Sequence, residues 1–199
     1  MTSRRLVLAS ASPVRLRVLR DGGFAPEVVI SGVDEDDVTG PTAKIAVVLA
    51  ERKATAVAER LDGPPALVLG ADTVLDVDGE TRGKPSSVDQ ARAWWASVAG
   101  RSAELHSGLC VIDSAAGERA CGVATATVHY GTPSRSEMDA YLETDEPLAV
   151  AGGFTIDGYA APFVDRIEGH HGTVLGLSLP LLRRLLAELH LEITDLWDQ

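Results

Sequence analysis

The order of apolar and polar residues along the chain predicts alternating strands and helices. Short apolar runs predict strands at 4–9, 26–31, 66–77 and 163–168, and an antiparallel pair at 102–112 and 119–130. Helical spacing of apolar residues, with caps and turn residues at the ends, predicts helices at 13–21, 42–61, 88–99, 135–143 and 177–191. Alternation early in the chain and a hairpin late in it predict an α/β fold with a mixed sheet flanked by helices. The length of 199 residues suits a single domain spanning 1–199.

The first turn after the first predicted strand has the features of an anion site. Ser12 is a good N-cap, and Pro13 suits the first helical position. The N–H groups at the start of such a helix point at a bound anion, and the hydroxyls of Ser10 and Ser12 can add donors. Neither a Rossmann nor a P-loop glycine pattern is present, so the turn belongs to neither of those nucleotide-binding classes.

Asp72 stands in the middle of the hydrophobic strand 66–77. A carboxylate in such a place is costly unless it is paired, hydrogen-bonded or bound to a metal. Two interpretations stay open from this strand alone. Asp72 caps a turn after Gly70, or it is a catalytic carboxylate at the edge of a sheet.

Composition narrows the functional classes. The net charge of −11 argues against a general binder of nucleic acid or membrane surfaces. No apolar run is long enough to span a bilayer or to act as a signal peptide, which predicts a cytoplasmic protein without a membrane partner.

Cys110 and Cys121 fall at facing positions of the predicted hairpin, and we expect them to stay reduced. The acidic loop 32–38 can hold a divalent cation only if one or two of its carboxylates turn inward.

The cations are unevenly distributed between the two basic residue types. The chain has fifteen arginines but only three lysines, namely Lys44, Lys53 and Lys84. A lysine ammonium is a compact point charge suited to a single phosphate oxygen, whereas arginine forks. Each lysine is therefore a candidate ligand of an anion.

Seven short segments in order across the chain resemble the Maf family of nucleoside triphosphate pyrophosphatases. They are LASASPVR (8–15), VDE (33–35), LAERKA (49–54), GADT (70–73), GKP (83–85), AGGF (151–154) and GLSLP (176–180). The resemblance implies a mixed α/β sheet with two lobes around a cleft, similar to inosine triphosphatases, and often a homodimer. It also implies hydrolysis of a nucleoside triphosphate to the monophosphate and pyrophosphate with Mg²⁺ or Mn²⁺, and roles in removing non-standard nucleotides and in septum formation.

The resemblance also assigns roles to residues. By position, Ser10, Arg15, Lys53 and Lys84 would hold phosphates, and Ser12 lies in the same turn. Glu35 and Asp72 would hold the metal and position water, with Asp72 as the proton acceptor. This agrees with what the reaction requires, because water attacks the α-phosphorus while negative charge builds on the leaving oxygens.

Substrate choice is less well defined by the resemblance. One branch of the family has Arg, Thr and Gln at the positions of Val14, Thr73 and Asp157 and prefers dTTP and UTP. Another has Trp, Gln and Glu there and prefers 7-methyl-GTP. Thr73 matches the first branch, Asp157 is acidic as in the second, and Val14 matches neither. We therefore expect a broad or altered preference for the base.

Two other functions compete with this hypothesis. The first is a non-catalytic nucleotide-binding regulator of division on the same fold, which the presence of Glu35, Lys53, Asp72 and Lys84 argues against. The second is a small-molecule phosphatase, which would release orthophosphate in place of pyrophosphate.

Overall fold

Seven strands form one mixed sheet in the computed structural model, which describes residues 4–35 and 37–198. The strands are β1 (Leu6–Ala9), β2 (Glu27–Val28), β3 (Leu67–Val77), β4 (Glu80–Arg82), β5 (Ser102–Asp113), β6 (Glu118–Tyr130) and β7 (Val164–Glu168). Their order is β2-β1-β3-β5-β6-β7, and β4 pairs with β3 beside this path. β1 is parallel to β2 and β3, and the other pairings are antiparallel, so the predicted mixed sheet is confirmed.

Helices lie on both faces of the sheet. They are α1 (Pro13–Asp21), α2 (Thr42–Ala58), α3 (Val88–Val98), α4 (Arg135–Leu142), α5 (Glu146–Ala149), α6 (His171–Val174) and α7 (Leu179–Glu188). Three short 3₁₀ segments occupy Ala151–Gly153, Ala161–Phe163 and Ile193–Leu196. Among the described residues, no helix has the length and apolar character needed to cross a membrane. Asp36, within the predicted acidic loop, lies outside the described residues.

The local signals for α1 and α4 are confirmed. The Ser12 side chain caps α1 by accepting a hydrogen bond from the Arg15 N–H, with Pro13 as the first helical residue. Ser134 and Glu137 form a reciprocal capping box at α4. These caps use backbone N–H groups that have no partner inside the helix, which explains why the sequence placed both starts correctly.

The two faces of the sheet carry different packing. On one face, α2 packs against β1, β3 and β5 through small side chains, including Ala50 and Ala54. The other face carries two apolar clusters. One is built around α1 and α7 with Leu8, Leu69 and Leu186, and the other around α3 and α4 with Leu75, Trp95 and Tyr141. This face of the sheet therefore carries two separate apolar clusters.

Two glycines allow α2 to lie unusually close to the sheet. A Cβ atom added at Gly70 would lie 2.0 Å from the carbonyl oxygen of Ala50, and one added at Gly108 would lie 2.1 Å from that of Ala46. Gly108 stands directly opposite Asp72 in the β3–β5 register. Close seating of α2 therefore occurs beside the embedded carboxylate.

We expect Gly108→Ala to lower the free energy of unfolding by about 3 kcal/mol, because the new methyl group meets helix backbone that cannot rotate away. The measurement is chemical denaturation, with Gly83→Ala as the control, since a Cβ at Gly83 meets no atom within 4 Å. Equal stability of the two variants would show that α2 is not seated against Gly108.

The two cysteines differ from the sequence-based expectation. The β5–β6 register places Cys110 directly opposite Cys121, with Cα atoms 4.0 Å apart, and a disulfide joins them. The prediction of facing positions is confirmed. The expectation of reduced thiols is wrong for this structure, because the register brings the two sulfurs within bonding distance.

Candidate active site

The candidate site lies on one edge of β3, at the stretch where the neighbouring strand changes from β1 to β4. β1 pairs with residues 67–70 of β3, and β4 pairs with 75–77. Within the described part of the chain, no strand pairs with 71–74 on that edge, although β5 covers the opposite edge. The stretch carrying Asp72 and Thr73 is therefore open toward the turn that follows β1. In open α/β sheets, ligands bind outside the carboxyl ends of strands, which is where β1 ends and this turn begins.

A lysine lies between two carboxylates on the α2 face. Lys53 Nζ is 2.6 Å from Asp72 Oδ1 and 2.7 Å from Glu35 Oε1. The side chains of Lys53 and Asp72 are 9% and 7% exposed, whereas that of Glu35 is 49% exposed. The cluster thus runs from the protein interior to solvent. Because α2 is held close to β3 and β5 by Gly70 and Gly108, its residue 53 can reach Asp72.

Electrostatics at Asp72 are set by opposing effects. Burial raises the pKa of Asp72 above its ordinary value, while the positive charges of Lys53 and Arg15 and the Lys53 hydrogen bond act in the opposite direction. The result is a pKa above that of a solvated aspartate. A carboxyl group with a raised pKa binds a proton more readily, which suits a proton acceptor.

Arg15 reaches the same edge from the other side of the sheet. Its Nε donates to the carbonyl oxygen of Gly176 at 3.0 Å, and one terminal nitrogen donates to Ser10 Oγ and to the Ala71 carbonyl oxygen, both at 2.9 Å. The other terminal nitrogen donates to Thr73 Oγ1 at 3.0 Å. Burial lowers the pKa of Arg15, and the charges of Asp72 and Glu35 oppose that shift. The structure therefore brings Ser10, Arg15, Thr73 and Asp72 together.

The first turn of α1 completes this side of the site. The Ser12 N–H donates to Ser10 Oγ at 3.3 Å, and Val14 is half-buried one residue after Pro13. Residues Ser10, Ser12 and Val14 therefore lie together at the N-terminal end of the helix, as the sequence predicts. The arrangement offers hydroxyl and backbone donors close to the open edge of β3.

Lys84 is neither hydrogen-bonded nor ion-paired to the cluster of Lys53, Asp72 and Glu35. It is exposed, follows β4, and makes no hydrogen bond or ion pair among residues 4–35 and 37–198. The preceding Gly83 carbonyl accepts a hydrogen bond from the Gly152 N–H at 2.8 Å, which ties this segment to the glycine-rich loop. The Lys84 ammonium is therefore available to an anionic ligand.

Asp157 has a partner that sequence reasoning missed. It forms an ion pair with Arg17 of α1, and it also accepts a hydrogen bond from the Thr155 hydroxyl. Arg17 lies three residues after Val14 and so on the same side of the helix. The family resemblance was a signal, because it assigned Val14 and Asp157 to the same choice of base, but nothing local indicates that residue 157 folds back onto α1.

Glu35 and Asp72 form a donor set suited to a hard divalent cation. Both carboxylates already point at one positive centre, the Lys53 ammonium. Among the described residues, no group of three or more His, Cys, Asp or Glu side chains is arranged to hold a metal. A cation at this place would therefore have two carboxylates from the chain and would take its other oxygens from water or a phosphate, as Mg²⁺ commonly does.

Comparison with known proteins agrees with this arrangement of motifs. The family model described as Maf-like protein matches residues 5–189. A nucleoside triphosphate pyrophosphatase of Streptomyces coelicolor is 53% identical over 195 residues, covering 98% of this chain and 95% of the relative. One from Salinispora tropica is 52% identical over 199 residues, covering 98% and 88%. The solved structure of the Staphylococcus aureus Ham1 protein has a TM-score of 0.43 at 16% identity over 64% of this chain and 72% of that one.

Proposed function

Because the chain belongs to the Maf-like protein family, we propose that it is a nucleoside triphosphate pyrophosphatase. It would hydrolyse the bond between the α- and β-phosphates to give a nucleoside monophosphate and pyrophosphate. The observation that carries the proposal is the lysine held between buried Asp72 and half-exposed Glu35, at the open edge of β3.

The proposed chemistry uses groups on both sides of this edge. Water attacks the α-phosphorus, its proton passes to Asp72, and the bond from the α-phosphorus to the bridging oxygen breaks to release pyrophosphate. The ammonium groups of Lys53 and Lys84 would neutralise the charge that develops on the leaving phosphates. Exposed Lys84, without a protein partner in the described residues, is suited to meet the phosphates as they arrive.

We propose that Glu35 and Asp72 hold Mg²⁺ or Mn²⁺ during turnover. The ion would supply positive charge beside the phosphate oxygens. The Lys53 ammonium already draws both carboxylates toward one point. For a metal ion to bind at that point, the ammonium must turn away from the carboxylates and toward a phosphate. Charge balance favours that exchange, because the incoming triphosphate supplies negative charge for both cations.

The base preference proposed here is for dTTP or UTP, or for a broad range that includes them. Thr73 Oγ1 accepts from Arg15, so its own hydroxyl hydrogen can be donated to a base carbonyl. The carboxylate of Asp157 is paired with Arg17 and is therefore less suited to attract a cationic base such as 7-methylguanine. Cytoplasmic location, a homodimer and a part in septum formation stay predictions.

The test is a panel of standard and methylated nucleoside triphosphates with Mg²⁺ or Mn²⁺, scored for pyrophosphate and orthophosphate separately. We expect metal-dependent release of pyrophosphate, abolished by a chelator and restored by adding the metal. Orthophosphate as the first product would indicate a phosphatase. Nucleotide binding without turnover would indicate a non-catalytic regulator, and either result would overturn the proposal.

A further inference from the structure

The family resemblance assigns Arg15 to phosphate binding, but in this structure the Arg15 side chain donates its hydrogen bonds to other residues of the protein. A guanidinium has five N–H bonds. Four of them are directed at Gly176 O, Ser10 Oγ, Ala71 O and Thr73 Oγ1, at 2.9–3.0 Å. One N–H therefore remains for a ligand, which is too few for the two-pronged contact with a phosphate that makes arginine useful there.

We propose that Arg15 is a positioning residue, which fixes Asp72 by taking the place of the missing strand along the open edge of β3. The inference rests on the proposed function for its kinetic test, but its geometry stands independently. Two of the Arg15 acceptors, the Ala71 carbonyl and the Thr73 hydroxyl, belong to the two neighbours of Asp72 in the chain. Holding both neighbours fixes the backbone from which the carboxylate projects.

The need for such a residue follows from the sheet. In a regular ladder, the backbone groups of a strand are bonded on both edges. Residues 71–74 lie between the pairings with β1 and β4, so on that edge a side chain replaces part of the ladder. Asp72 itself points to the α2 face, and the arginine therefore controls its position without touching it.

The other two acceptors anchor the arginine. Ser10 directly follows β1, and Gly176 follows α6, so the guanidinium joins three separate parts of the chain. Gly176 has a φ of +90°, and a Cβ there would lie 3.0 Å from Thr73 Oγ1 and 3.3 Å from Arg15 Nε. The glycine lets its backbone approach this network closely, which leaves the guanidinium with little freedom to turn away.

The experiment compares Arg15→Lys with Arg20→Lys, an exposed position in the same helix. Lysine keeps the positive charge but cannot reproduce the hydrogen bonds that the planar guanidinium donates in several fixed directions. We expect Arg15→Lys to lower kcat about 10²-fold, since small misplacements of catalytic groups have effects of this size. KM and the affinity for pyrophosphate should change less than about threefold, and Arg20→Lys should match the wild type. A phosphate-binding arginine would give the reverse pattern: weaker pyrophosphate binding and a largely preserved kcat, which would overturn the inference.

A second measurement needs no turnover. In the ligand-free protein, Arg15→Lys should speed amide hydrogen exchange at 71–74 by about 10-fold or more, because the restraint on this edge is lost. Unchanged exchange would overturn the inference.

Should Arg15→Lys fail to fold, Thr73→Val and Thr73→Ser replace it, since only serine retains the hydroxyl that accepts the Arg15 hydrogen bond. Faster exchange in Thr73→Val alone supports the inference, and equal exchange in both variants overturns it. A wild type that releases no pyrophosphate would overturn the proposed function while leaving the exchange result valid.

Discussion

Asp72→Asn should leave the protein folded and lower the rate of pyrophosphate release by about 10²–10⁴-fold. The amide has the shape of the carboxylate but accepts no proton from water at neutral pH. It is also a weaker ligand for a divalent cation. Folding should persist because Lys53 keeps Glu35 as an ionic partner and because the asparagine oxygen can still accept the Lys53 hydrogen bond. Steady-state kinetics with saturating Mg²⁺, together with a thermal melt, measure both parts.

The matched control is Asp76→Asn, four residues along the same strand. Asp76 accepts a hydrogen bond from the Gly79 N–H in the β3–β4 turn, and an asparagine oxygen can accept the same bond. We therefore expect near-normal turnover from this variant. If Asp72→Asn were as active as Asp76→Asn, Asp72 would not be the proton acceptor.

Lys53→Met should have the second large effect, on rate and on stability together. Methionine fills the space of the lysine stem but leaves Asp72 and Glu35 as like charges without the ammonium between them. We expect a rate loss of about 10³-fold, within the range for removal of an electrostatic catalyst. The free energy of unfolding should fall by about 3 kcal/mol, because one partner of a buried ion pair is removed.

The stability loss in Lys53→Met should depend on pH. The pKa of Asp72 is already raised by burial, and removal of Lys53 takes away its largest opposing effect. A carboxyl group whose pKa is higher in the folded than in the unfolded state stabilises the fold at low pH, and this contribution is lost as the pH rises through the folded-state pKa. The deficit should therefore be smaller in mildly acidic than in neutral buffer. Lys44→Met, an exposed position on the same helix, is the control, and equal deficits in the two buffers would contradict this account.

Local sequence signals predicted most of the elements but not every boundary. Periodicity and caps identified α1 and β3 closely. The second predicted strand, 26–31, shrank to Glu27–Val28, whose side chains are exposed at the sheet edge. The last helix begins at Leu179 and not at 177, because Ser178 caps it. Apolar residues alone do not distinguish an edge strand from a central one, or a cap from a first turn.

The structure brings the predicted residues Glu35, Lys53 and Asp72 together, but their contacts could not be predicted from the sequence. The Lys53–Asp72 pair could be anticipated only in part, because it depends on Gly70 and Gly108 admitting α2. The partners of Arg15 lie up to 161 positions away in sequence, at Gly176. The ion pair of Arg17 with Asp157 has the same origin. Each is a product of tertiary arrangement, for which a single sequence carries no local pattern.

The close seating of α2 makes the site sensitive to how that helix is aligned. A slip by one turn would move Lys53 by about 5.4 Å along the helix axis and break both of its ion pairs at once. Gly70 and Gly108 resist such a slip, because helix carbonyls fill the space where their side chains would stand. A change that shifts α2 can therefore lower the rate of turnover without touching substrate, and the residual rate would report the helix alignment more sensitively than a melting temperature.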